Sequence, residues 1–95
     1  MVDNVYGPTR RFCENHLRRL GVEVTYYDPL LGERIDQVMR PNTRVVFCES
    51  PGSLTFEVQD VRAICDVARA RGATTVLDNT WATPLYFRAR RLARF

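Results

Sequence analysis

Two polar segments directly follow apolar runs in this chain, and both could carry chemistry. Residues 49–53 (Glu-Ser-Pro-Gly-Ser) come after the apolar run 44–48, and residues 78–80 (Asp-Asn-Thr) come after the run 74–77. In open parallel sheets, ligands bind beyond the carboxyl ends of the strands. If both runs are strands of one parallel sheet, the two segments lie on the same edge, and the sequence predicts a binding site there.

Asp78 is the residue of most interest, because an aspartate placed directly after an apolar strand has limited access to water. Such a carboxylate needs a partner to remain charged. Three interpretations stay open on the pattern alone: a helix cap or loop hydrogen bond, a metal ligand, and an ion pair with a cationic ligand nitrogen such as a pyridinium. The metal interpretation has little support, because no histidine or further acid stands close in sequence.

All fourteen basic side chains are arginines, and the chain contains no lysine. The formal net charge is +3. Much of the basic excess lies near the C-terminus, in Arg88, Arg90, Arg91 and Arg94. The other basic residues are mixed with acids, as on solvated helix faces, and no recognisable nucleic-acid-binding signature is present. These features favour solvated helix faces and a basic tail over a nucleic-acid-binding patch.

The three cysteines, Cys13, Cys48 and Cys65, have neither paired nor metal-type spacing. This pattern favours free, buried thiols in a reducing cytosol. No run of about 18 apolar residues is present, and the N-terminus lacks the basic and apolar regions of a secretory signal. We expect a cytoplasmic protein without a membrane segment.

Helical and extended patterns alternate along the chain and would position these residues. The first half predicts a helix over 10–20, capped by Thr9 and ended by a glycine, with His16 on its packed apolar face. A strand over 22–27, rich in strand-forming residues, and a short helix over 33–39 follow.

The second half predicts a buried strand over 44–48 and a helix that Asp60 caps and that runs to about Arg71. A strand over 74–77 and a loop over 79–84 follow. Strands separated by helices of this length predict an α/β fold with a parallel sheet and right-handed crossovers. Three strands make a narrow sheet, and three helices are few to cover both of its faces. We therefore expect part of a three-layer architecture with neighbours missing.

Four short motifs resemble, in order and spacing, the Cys/Met-metabolism family of enzymes that depend on pyridoxal 5′-phosphate (PLP). They are Tyr-Gly-Pro-Thr at 6–9, Tyr-Asp-Pro at 27–29, Glu-Ser-Pro-Gly-Ser at 49–53 and Leu-Asp-Asn-Thr-Trp-Ala-Thr-Pro at 77–84. The similarity covers residues 3–89 and looks strongest to the bacterial cystathionine β-lyase branch. It implies part of the large PLP-binding domain of a fold-type I, aminotransferase-like enzyme.

The resemblance also implies roles for four residues. Asp78 matches the aspartate that pairs with the protonated pyridine nitrogen of PLP, and Tyr6 matches the tyrosine that stacks on the ring and assists proton transfer. Thr80 matches a threonine close to the cofactor. Ser53 falls where many relatives have an asparagine near the ring hydroxyl, a departure that fits the lyase branch. The implied reaction is carbon–sulfur cleavage of cystathionine, in methionine biosynthesis, to homocysteine, pyruvate and ammonia.

Other parts of the family pattern are absent from this sequence. The family's catalytic lysine, which bonds covalently to PLP, would follow Asp78 after another strand. Arginine stays protonated and cannot replace it. The phosphate-binding glycine loop would precede Val2. We therefore expect residues 1–89 to be a fragment of the PLP-binding domain, followed by a divergent basic tail over 90–95, and we expect the chain alone to be inactive.

Three other functions stay open. The chain could be a non-catalytic remnant or association module of α/β type, because the family forms dimers and tetramers and an uncovered sheet promotes association. It could belong to a related synthase or γ-lyase, because the residues that select the substrate lie largely outside it. Nucleic-acid binding through the arginine-rich tail is the weakest alternative.

Overall fold

The computed structural model describes residues 1–92, so the end of the predicted basic tail, residues 93–95, lies outside the described residues. Three α-helices, α1 (Gly7–Phe12), α2 (Val61–Ala70) and α3 (Thr83–Tyr86), alternate with two strands, β1 (Val45–Glu49) and β2 (Thr74–Asp78). Helical turns of other types continue the pattern: a π-helical turn at Cys13–Leu17 and 3₁₀ turns at Arg18–Leu20, Gly32–Val38 and Ala89–Leu92.

The two strands pair in parallel, and α2 connects them. Their register runs from Val45 opposite Thr74 to Glu49 opposite Asp78. The N-terminal segment lies alongside β1, on the side away from β2, and the Val2 N–H donates to the Phe47 carbonyl at 3.0 Å. The predicted α/β class with a parallel sheet is confirmed.

The strand predicted over 22–27 is wrong apart from its last residue. Tyr27 forms one parallel bridge with Val2, and its N–H donates to the Met1 carbonyl at 3.0 Å. The segment that it meets is only about three residues long before the chain turns at Asn4. A strand of six residues therefore has no partner of its own length, and the strand-forming composition of 22–26 does not produce a ladder.

The first helix also departs from the prediction. It begins at Gly7 with Tyr6 in the capping position, and Thr9 lies inside it instead of capping it. Pro8 in the first turn fixes the backbone angle that a helix start requires. The helical segment continues to Leu20 and ends at Gly21, whose φ of 79° lies in the left-handed region that glycine tolerates.

The prediction that this helix buries an apolar face is wrong. Phe12 and Leu20 are 52% and 77% exposed, and His16 is exposed and stacks on the Phe12 ring with centroids 5.3 Å apart. No other described element covers these side chains. Helical spacing identifies an apolar face, but it does not tell whether another element packs against that face.

The core lies where α2 packs on the sheet. Ile64 and Ala68 of α2 are fully buried, as is Cys48 of β1. The 3₁₀ turn Gly32–Val38 contributes Ile35. Of the cysteines, Cys48 is buried, and Cys13 and Cys65 are half-buried; all three are free. Burial raises the pKa of the Cys48 thiol to about 11, so this thiol stays protonated and packs as a small apolar group.

Helix α2 follows the prediction closely. The Asp60 carboxylate accepts the Ala63 N–H at 3.0 Å, and Gly72 follows the helix with a φ of 70°. Among residues 1–92, no helix is long and apolar enough to cross a membrane, and no cluster of His, Cys, Asp or Glu could hold a metal ion.

Replacing Asp60 with Ala is expected to lower the free energy of unfolding by about 1 kcal/mol, because the cap satisfies an N–H that the helix leaves without a partner. Asp66→Ala is the matched control, since Asp66 is an exposed residue of α2 whose ion pair with Arg69 lies at the surface. Urea unfolding of both variants measures the difference. Equal loss of stability in both would contradict the capping role.

Candidate active site

The carboxyl ends of the two strands form the candidate site. Glu49 and Asp78, the last residues of β1 and β2, are opposite each other in register, and the Ser50 N–H donates to the Asp78 carbonyl at 3.3 Å. The loops after the two strands therefore leave the same edge of the sheet, as the sequence predicts. Parallel pairing thus places two carboxylates side by side.

Glu49 is buried, with 4% of its surface exposed. Its Oε2 accepts the Tyr6 N–H at 2.7 Å, which attaches the start of α1 to the end of β1. Burial is the main cause that raises the pKa of the Glu49 carboxyl above its usual value, and the negative charge of Asp78 adds to it. The backbone N–H groups of Tyr6 and Ser53 oppose the increase, because they stabilise the charged form.

Asp78 is half-buried and is held in place by its own loop. Its Oδ1 accepts both the N–H of Thr80, at 3.0 Å, and the Thr80 hydroxyl, at 2.5 Å. Among residues 1–92 no arginine forms an ion pair with Asp78, and its Oδ2 accepts no hydrogen bond. The loop hydrogen bond considered from the sequence is therefore present, and among residues 1–92 it leaves the other carboxylate oxygen open, without a hydrogen-bond partner.

Tyr6 lies at the same edge because Glu49 holds its backbone, and 53% of its surface is exposed. Ser53 is half-buried and enters the site through its backbone: its N–H donates to the Asn4 carbonyl at 3.0 Å. Tyr6, Asp78 and Thr80 are thus brought to one edge of the sheet, and Ser53 borders it.

Asn4 is a residue of this site that the sequence analysis missed. Its Nδ2 donates to Thr55 Oγ1 and to Glu57 Oε2, each at 3.0 Å. The side chain lies directly against Gly52, where any β-carbon would overlap the Asn4 amide. We call the contacts of Asn4 with Gly52, Thr55 and Glu57 the Asn4 clasp. A single asparagine in a loop gives no sequence signal for such a long-range contact.

An aromatic contact links the loops after the two strands. The Phe56 and Trp81 rings meet edge to face with centroids 4.8 Å apart. Such pairs contribute about 0.5–1.5 kcal/mol beyond their burial. Both side chains remain more than half exposed, so Trp81 borders the site instead of filling the core.

The arrangement fits a flat, cationic ring. Asp78 offers an open carboxylate oxygen, the Glu49 carboxylate stands beside it, and an exposed tyrosine ring provides a surface for stacking. Two buried acceptors, Asn4 Oδ1 and Asn79 Oδ1, have no hydrogen-bond partner among the described residues. A ligand that carries a protonated ring nitrogen and hydrogen-bond donors matches this set of groups.

Comparison with known proteins agrees with this geometry. The family model "Cys/Met metabolism PLP-dependent enzyme" matches residues 1–93. The chain is 45% identical over 91 residues to the cystathionine beta-lyase of Salmonella typhimurium, covering 94% of this chain and 23% of that protein. It is also 45% identical over 86 residues to the L-alanine/L-glutamate racemase of Wolbachia pipientis, covering 90% and 21%.

The fold has a close match among solved structures. The crystal structure of metB from Corynebacterium glutamicum superimposes with a TM-score of 0.90 at 26% identity, and the match covers 96% of this chain and 24% of that one. The chain therefore spans about a quarter of the length of the proteins that it matches. Its helices and parallel strands match one part of the fold of that fold-type I enzyme.

Replacing Gly52 with Ala is expected to lower the free energy of unfolding by about 1–3 kcal/mol, because the added methyl group overlaps the Asn4 side chain. Asn4→Ala alone removes the clasp but causes no overlap. In the double variant the methyl group has space, so the two losses should not add. Gly7→Ala is the control, since a methyl group there meets nothing closer than 3.5 Å. Additive losses in thermal unfolding would contradict the clash.

Proposed function

Because this chain belongs to the Cys/Met-metabolism family of PLP-dependent enzymes, we propose that it forms one wall of the PLP site of a carbon–sulfur lyase that acts on cystathionine. The reaction would be β-elimination followed by hydrolysis, which consumes water and yields homocysteine, pyruvate and ammonia. The observation that carries the proposal is the open carboxylate oxygen of Asp78 at the edge where Tyr6 and Thr80 also lie.

In this proposal Asp78 holds the protonated pyridine nitrogen of PLP by an ion pair. When bound, PLP would supply an electron sink that stabilises negative charge at the substrate's α-carbon, and a protonated ring nitrogen would strengthen it. Thr80 acts through Asp78: its two hydrogen bonds fix one carboxylate oxygen and so direct the other oxygen toward the ligand. The half-buried setting of Asp78 strengthens the ion pair relative to one in water.

Tyr6 would stack on the cofactor ring, and its hydroxyl would move a proton between the substrate and the leaving group. The exposed ring and the fixed backbone of Tyr6 support this role. Ser53 would border the ring hydroxyl, where its short side chain leaves space. The chain contains no lysine. In this proposal the residue that bonds covalently to PLP is therefore not one of its residues, because arginine cannot take that role.

The choice of lyase over a related reaction rests on the loop sequence and on the names of relatives. A lyase and a racemase are equally identical to this segment, at 45%. The groups at the strand ends are therefore suited to holding the cofactor in either reaction, and they do not by themselves select the bond that breaks. The Ser-Pro-Gly-Ser form of residues 50–53 favours the lyase.

We expect the chain to bind pyridoxine 5′-phosphate, a PLP analogue without the aldehyde, which cannot react with the terminal amine. Quenching of Trp81, the single tryptophan, reports binding beside the site. Asp78→Asn should weaken binding by about tenfold, since it removes one partner of a partly desolvated charge pair. Asp66→Asn, on the exposed face of α2, should leave it unchanged. Equal affinities in all three proteins would refute the role of Asp78.

A second candidate function is association without catalysis. Several large apolar side chains are exposed, among them Leu54 at 88%, Leu85 at 76% and Tyr86 at 83%. Leu85 and Tyr86 are adjacent in α3, and apolar surface that lies together in this way favours contact with another chain. In this candidate function the partner is a second copy of the chain, as in a homodimer or tetramer. None of the described residues would then take part in a reaction.

Sedimentation at increasing protein concentration tests association, and we expect the average mass to rise above 11.0 kDa. The double variant Leu54→Glu with Leu85→Glu should shift this rise to higher concentration, because it places charges where apolar surface would be buried. Gln37→Glu adds a charge on an exposed turn and serves as control. A monomer at every concentration would exclude this candidate.

A further inference from the structure

We propose that Glu49 is a positioning residue that places the Tyr6 ring at the cofactor edge by accepting the Tyr6 backbone N–H. The inference deepens the proposed function and rests on it for the role of Tyr6. The contact joins residues 43 positions apart in sequence, at 2.7 Å. It is a charge-assisted hydrogen bond whenever Glu49 is ionised, and such bonds are about twice as strong as neutral ones.

The surroundings of Glu49 explain why this one bond matters. Tyr6 directly precedes α1, and no residue of the helical segment 7–20 is buried. The segment therefore has little packing of its own to fix where its first residues lie. At the other end of the contact, the Glu49 carbonyl accepts Gln59 Nε2 at 2.7 Å, so the backbone that carries the carboxylate is itself held.

The groups that face the Glu49 carboxyl fall into two classes. The N–H groups of Tyr6 and Ser53 favour its charged form. The Asp78 carboxylate on β2 disfavours it, as does burial. Among residues 1–92 no arginine pairs with Glu49. The charge of Glu49 therefore depends on a balance in which burial and the Asp78 charge oppose ionisation and the backbone N–H groups favour it.

This balance couples the tyrosine to the ligand. A cation that pairs with Asp78 neutralises the charge that opposes ionisation of Glu49. The carboxylate form then gains population, and its bond to the Tyr6 N–H strengthens. Filling the site with a cationic ring would thus fix the tyrosine that stacks on the ring, without any contact between Glu49 and the ligand.

Nuclear magnetic resonance of the labelled full chain tests the coupling without any ligand. The side-chain carbonyl carbon of Glu49 and the amide of Tyr6 should titrate with the same midpoint. In Asp78→Asn both midpoints should move to lower pH together, which a purely structural role for Glu49 would not produce. The Leu30 N–H, which donates to Asp28 Oδ1, is the internal control and should not follow them.

Glu49→Gln keeps an acceptor of the same shape but removes the charge. Hydrogen exchange of the Tyr6 amide should become about tenfold faster, the difference expected between a charged and a neutral acceptor. Glu23→Gln, which removes a surface carboxylate paired with Arg40, should change nothing at Tyr6. Separate midpoints for Glu49 and Tyr6, or unchanged exchange in a folded Glu49→Gln chain, would overturn the inference. If that variant unfolds, the midpoints in the Asp78→Asn chain decide.

The two proposals can fail separately. If pyridoxine 5′-phosphate does not bind but Tyr6 follows Glu49 in the titration, the positioning role stands and the cofactor role of this edge is refuted. If the analogue binds through Asp78 but Tyr6 ignores the charge of Glu49, the opposite holds.

Discussion

The parallel register between β1 and β2 is the constraint on which the rest of the site depends. Five consecutive pairs align the strands, and the last of them sets Glu49 opposite Asp78. Parallel pairing needs a crossover, which α2 supplies, and the Asp60 cap fixes where that crossover begins. A shift of one residue would turn every side chain of a strand to the opposite face and separate the two carboxylates.

The features that follow from local pattern could be predicted from the sequence. Helix α2 has its cap, its apolar stripe and its final glycine within one short segment, and the runs 44–48 and 74–77 read as strands without further information; the burial predicted for the first of them is found in β1. The shared edge of Glu49 and Asp78 followed from the rule that parallel strands end together. The cofactor role proposed for Asp78 came from resemblance, since the residues alone left three interpretations open.

The features that failed or were missed depend on contacts far apart in the chain. The run 22–27 has strand composition but meets only a short N-terminal segment, and the helix that carries Phe12 and His16 has a face that no described element covers. The Asn4 clasp and the bond from Tyr6 to Glu49 join residues more than 40 positions apart, at 43 to 53 positions. Nothing in the spacing of single residues announces such contacts, because they form only when the sheet brings the segments together.

The exposed helical segment 7–20 has a thermodynamic consequence for the tyrosine before it. Elements with few buried contacts open locally at small free-energy cost, well below that of global unfolding. Tyr6 thus stands between the sheet and a helical segment that contains no buried residue. Ordering the Tyr6 backbone costs conformational entropy each time the segment packs back against the sheet. The binding free energy of any ligand that requires this ordered form is reduced by the same amount. The affinity of this edge is therefore set partly by the stability of a helix that does not line it.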